Sequence, residues 1–257
     1  MTSETDLAAA VATELVKQVP IKEVYEDGLS PAVRETGSAL ADFVKTLRLA
    51  LAPLQLTAAL QDRYVKFLDR SVRQIPEERR VLPPPQIVGP VLEAIKYEPE
   101  DTLISDMYNE LLSKAFDRQR VNDAHPAFAP LIRQLSTDEA IILKLIYDKY
   151  LEHDYYKLHF TEDLTRNLLE NRQIEVNELP SGDLATPEKI SVYLEHLDKL
   201  GLMSIRGYKS PEAIRPPHSI EQTGLRTFTH FELTEFGLEF MKAVRPSVET
   251  GRGDCHG

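Results

Sequence analysis

Hydrophobic positions in the first half of the chain recur every three to four residues, the period of an amphipathic helix. Residues 7–19 keep that period until Pro20 stops it, because proline has no N–H to donate. Ser30-Pro31 marks the next start: the serine oxygen can accept from free backbone N–H groups, and proline at the first helical position gives up no needed donor. Val33, Leu40, Phe43, Val44, Leu47 and Leu51 then line one apolar face, which Pro53 interrupts. Leu60, Tyr64, Phe67, Leu68 and Ile75 predict a second long helix over 54–75. Val81-Leu82-Pro83-Pro84-Pro85 reads as an extended polyproline strap. Helices are expected to resume at 90–97, 99–120 and 127–135, with a turn at 122–126.

The second half has a different texture. Ser136-Thr137-Asp138-Glu139 is a capping box, in which the serine caps the first turn and the glutamate reaches back. It opens a helix to about Leu151. Residues 178–186 read as a loop, and Thr186-Pro187 starts a helix through Ile190, Leu194 and Leu197 that Gly201 ends. A short strand over 202–206, a polar loop over 211–224, a returning strand over 226–233 and a last helix over 235–244 complete the order of a winged helix. The expected fold is therefore mainly α. It has a multi-helix domain over 1–135, a winged-helix-like α+β domain with a small two-stranded wing over 136–245, and a disordered tail over 246–257.

Composition narrows the function. Of 257 residues, 42% are apolar and 28% charged, ordinary values for a globular chain. The formal charge of −11 argues against a nucleic-acid coat or a binder of anionic membranes, since both need a broad basic field. The single Cys255 allows no disulfide within the chain, and the acidic start from Met1 to Asp6 is unlike a signal peptide. The most apolar stretch, 49–56, is too short to span a bilayer. A cytoplasmic protein with no membrane role is expected.

The common catalytic motifs are missing. There is no phosphate loop, dinucleotide fingerprint, His-Glu-x-x-His helix or Gly-x-Ser-x-Gly elbow, so neither a metal nor a cofactor is expected. Four features remain. Arg63, Lys66, Arg70 and Arg73 share one helical face, but Asp62 and Asp69 stand four residues before Lys66 and Arg73, which favours a solvated, ion-paired surface. Arg120 and His125 have the spacing of the catalytic pair of HEPN ribonucleases: arginine would hold a phosphate while histidine moves the proton. The alternative is a histidine that caps a turn. Arg206, Lys209, Arg215 and Arg226 would let the wing contact DNA phosphates. The helix before the wing exposes Glu188, Glu195 and Asp198 beside Lys189, His196 and Lys199, so DNA is disfavoured and a protein partner suits it better. Arg252-Gly253-Asp254 reads as chance.

Several stretches together resemble one family. Residues 24–37 are similar to the opening signature of the Abi-alpha (abortive infection alpha) family of bacterial proteins. Leu82-Pro83-Pro84-Pro85 with Gly89-Pro90 and Leu92-Glu93-Ala94-Ile95 resembles its second signature, and Asn109-Glu110-Leu111-Leu112 through Ala124-His125-Pro126 to Glu139-Ala140 its third. Leu194, Leu197 and Leu200-Gly201-Leu202, then Leu233-Thr234, Gly237 and Phe240, fit its C-terminal part. The resemblance implies a setting, bacterial phage defence, and carries over no catalytic residue. The leading expectation is a non-enzymatic protein acting on an unidentified protein partner, with a homodimer as a further option. The alternatives are a toxin-like ribonuclease using Arg120 and His125, and a DNA-binding regulator.

Overall fold

The computed structural model describes residues 58–245, apart from Gln74 and Asn167. The helices expected over 7–19 and 33–51, the tail, Cys255 and the 252–254 tripeptide lie outside those residues. The chain divides into two compact units. One runs to Gln134 and takes in residues from Ala243 on; the other is Leu135–Lys242.

In the first unit, α1 (Ala58–Val72), α2 (Pro85–Ile95), α3 (Leu103–Phe116) and α4 (Phe128–Ile132) bury their apolar faces on one another. Ile87, Val88 and Val91 of α2, Leu111, Leu112 and Phe116 of α3 and Ile132 of α4 are fully buried. Thr102 caps α3, its hydroxyl accepting from Ser105 N–H at 3.0 Å. The polyproline strap is shorter than expected. Only Pro83 and Pro84 precede α2; Pro85 is its first residue, where no N–H is needed, and Pro90 lies inside it. Gly89, with no Cβ to meet the ring of Pro90, relieves the clash that normally ends a helix before proline.

The second unit corrects the winged-helix expectation, and with it the mainly-α class. After α5 (Thr137–Leu151), strands β1 (Lys157–Thr165) and β2 (Leu168–Asn177) form a hairpin turned at Arg166, whose φ is 52°. Helix α6 (Ile190–Lys199) leads to β3 (Met203–Ile214), β4 (Gly224–Leu233) and α7 (Glu235–Val244). The strands make one antiparallel sheet in the order β2-β1-β4-β3. The supposed wing is half of that sheet, and β4 sits inside it, paired with β1 from Lys157↔His230 to Asp163↔Gly224. Strand β3 runs 12 residues through Pro211, because it is an edge strand and its register shifts between Lys209 and Glu212. Proline's missing donor is tolerated at such a place.

Two local devices read from the sequence, the capping box and the glycine stop, are present. Ser136 and Glu139 make the capping box of α5, and the second carboxylate oxygen of Glu139 lies 2.6 Å from His196 Nδ1. Gly201, at φ 70°, ends α6 with two reverse bonds, Gly201 N–H to Asp198 and Leu202 N–H to Leu197. Asp138, almost fully buried, accepts from the N–H groups of Ala185 and Thr186 and so ties the loop before α6 to the start of α5.

Candidate functional site

Two clusters hold the residues with chemistry, one in each unit. In the first, Arg80 pairs backbone to backbone with Asp117, just past the end of α3. The Asp117 side chain is fully buried. Arg79 donates to both its oxygens, Arg120 Nε to Oδ2 at 2.8 Å, and Gln119 N–H to Oδ1 at 3.0 Å. Burial alone would raise the Asp117 pKa; these hydrogen bonds outweigh it and hold the carboxyl below its ordinary value. Glu110 completes the group, 3.4 Å from Lys114 and 3.7 Å from Arg120. Burial pushes the Lys114 ammonium below its usual value, against the pull of Glu110.

This arrangement gives Arg120 a structural task. It sits at the start of a single 3₁₀ turn over Val121–Asp123, and its guanidinium fastens that turn to the end of α3. His125 follows in an exposed loop, where Nδ1 accepts from Ala127 N–H at 3.1 Å and the ring lies 5.5 Å from that of Phe128. An imidazole whose Nδ1 accepts from the backbone holds the turn into α4, the capping role weighed against the catalytic one. Two of the four cations of α1 are engaged by acids beyond their own helix. Arg70 bonds Asp106 at 2.7 Å and Arg63 lies 3.8 Å from Glu100, in a small cavity whose acids, Glu100 and Asp101, offset much of the charge.

The second cluster is on the sheet. Alternation along β4 sends Phe231 and Leu233 into the core and Arg226, Phe228, His230 and Glu232 to the opposite face. His159 lies opposite Phe228 on β1 and Arg206 opposite His230 on β3. At β3 the register shifts between Gly207 and Lys209, a bulge that brings both Tyr208 and Lys209 against Phe228. A band of rings results. His159 Nε2 and the Tyr208 hydroxyl are 2.5 Å apart, and His159 meets Phe228 edge-on at 5.0 Å. Tyr155 stacks on His230 at 4.6 Å, and the Tyr208 ring is 5.9 Å from His230. Tyr155 and Tyr208 keep 39% and 44% of their surface in solvent, enough for a partner to touch.

Arg206, Lys209 and Arg226, three of the four residues singled out for phosphate contact, flank this band. Arg226 forks onto Glu175 with two bonds of 2.7 Å; Lys209 bonds Glu212 at 2.5 Å, and Arg206 pairs with Glu232. Arg215 is separate, in the exposed connection after β3. His159, Tyr208, Phe228 and His230 are absent from the sequence-derived candidates. The signal was available in β4, whose even and odd positions differ in character, but the bulge that adds Tyr208 has no sequence mark.

Among the described residues, no three His, Cys, Asp or Glu side chains are grouped to hold a metal ion, and no helix is long and apolar enough to cross a membrane. No curated protein matches the chain, and no solved structure does. The family model of abortive infection alpha matches residues 56–244, well over half of the sequence. The chain thus belongs to the Abi-alpha, or abortive infection alpha, family.

Proposed function

We propose that this protein serves phage defence as a cytoplasmic binding protein, without catalysis of its own, and that it engages its target through the aromatic face of its sheet. Family membership supports the setting. The observation that carries the mode of action is the band formed by Tyr155, His159, Tyr208, Phe228 and His230, with Arg206, Lys209 and Arg226 at its margins. Exposed tyrosines bury large, rigid surface at small entropic cost, and tyrosine and arginine are enriched among the residues that dominate interfaces.

The ribonuclease reading draws less support. Arg120 spends donors on Asp117 and lies by Glu110, while the Nδ1 of His125 is engaged by the backbone. The test is phage plating on bacteria that express face variants and loop variants. Tyr208→Ala should lower protection without lowering the amount of folded protein, and His125→Ala should leave protection intact.

A further inference from the structure

We infer that the aromatic face of the sheet binds a single-stranded polynucleotide, with unpaired bases stacked on Tyr155 and Tyr208 and phosphates beside Arg206, Lys209 and Arg226. This rests on the proposed role of that face and names its occupant.

Three observations favour it. First, the rings form a platform. Tyr155 and His230 are stacked with their planes 29° apart, and Tyr208 and His230 differ by 30°, while Phe228 braces His159 and Tyr208 edge-on from below. Planar bases add to such a platform whatever their sequence, since each presents a π face. Second, on the strands that carry the rings this face is polar or aromatic, with Lys157, His159 and Thr161 on β1, Arg226, Phe228, His230 and Glu232 on β4, and Ser204, Arg206 and Tyr208 on β3; the aliphatic neighbour is Val176, opposite His159 on β2. A protein partner would find little branched apolar surface to desolvate, whereas stacking needs none. Third, the cations stand around the rings with 39–64% of their side chains in solvent. Their present carboxylate partners keep 25–47% of their side chains in solvent, so a phosphate can compete for the cations, at least cost for the singly bonded Lys209 and at most for the forked Arg226.

The same pairing sets the character of the binding. Glu232, Glu212 and Glu175 offset the cations, so stacking leads and electrostatics follow. With three phosphates contacted, the logarithm of the binding constant should fall against the logarithm of salt concentration with a slope of only about −2. A duplex, whose bases are already stacked and paired, should bind poorly.

The experiment is fluorescence anisotropy of the full chain with short labelled oligonucleotides at about 50 mM salt. The probes are unstructured RNA, unstructured DNA of matching sequence, and the duplex. The expected result is binding of one or both single strands, at least tenfold tighter than the duplex. Tyr208→Ala combined with Tyr155→Ala should weaken it roughly tenfold or more, and Tyr208→Phe should preserve it. Comparison of the ribose and deoxyribose strands identifies which polymer the face prefers. Absence of single-strand binding, equal binding of the duplex, or indifference to loss of both tyrosines would overturn the inference. If no strand binds while Tyr208→Ala still abolishes phage protection, the polynucleotide is the wrong occupant and the role of the face stands.

Discussion

The Nε of Arg120 lies 2.8 Å from a carboxylate oxygen of Asp117, an aspartate with no surface in solvent. That bond decides how substitutions at Arg120 must be read. Removing the guanidinium leaves a buried carboxylate short of a donor, so Arg120→Ala should lower unfolding stability by about 2 kcal/mol. Urea denaturation measures it. A midpoint equal to that of the wild type would contradict this structural role.

Acid should unfold the protein partly through two aspartates. Asp117 and Asp138 are each held below their ordinary pKa: burial pushes the values up, and hydrogen bonds from Arg79, Gln119 and Arg120, or from Ala185, Thr186 and Tyr193, more than reverse it. A folded-state pKa below the unfolded value of about 3.9 adds stability above pH 4 and loses it as pH falls through the depressed folded value. Asp117→Asn should flatten that acid limb while leaving an already less stable protein at neutral pH. An acid limb as steep as that of the wild type would contradict the assignment.

Two glycines in the C-terminal signature should differ sharply in tolerance. A Cβ on Gly237 would lie 1.8 Å from the backbone oxygen of Leu202, so the backbone itself must move. Gly237→Ala should cost about 3 kcal/mol. Gly201 has open space around its Cβ position but a φ of 70°, and Gly201→Ala should cost about 1 kcal/mol. Thermal unfolding of the two variants checks the order, and equal shifts in Tm would refute it.

Most helices were legible because they carry their own period and stop signals; α2 was not, since Pro85 and Pro90 read as breaks and it begins five residues before the expected start at 90. The capping box at Ser136, the stop at Gly201 and the last helix over 235–244 are local devices that sequence spacing reveals directly. The sheet was not. In β2 nearly every side chain is exposed on both faces, so no alternation marks it as a strand. Residues 211–224 looked like one loop, yet an edge position with a register shift keeps Pro211 to Ile214 in β3, and only 215–223 form the connection. The candidate site shared that fate. Arg206, Lys209 and Arg226 stood out as charges, but the rings that join them come from three strands, and only pairing brings His159, Tyr208, Phe228 and His230 together. Arg120 and His125 stood out by their spacing, whereas their hydrogen bonds, Arg120 to Asp117 and Ala127 N–H to His125, come only with the fold.

The most direct test of the central claim is phage plating efficiency on bacteria expressing wild type, the Tyr155→Ala/Tyr208→Ala variant or His125→Ala, each shown to be soluble with an unchanged circular dichroism spectrum. The sheet-face account predicts that the double tyrosine variant loses protection and His125→Ala keeps it. Protection that survives loss of both tyrosines but disappears with His125 would contradict it.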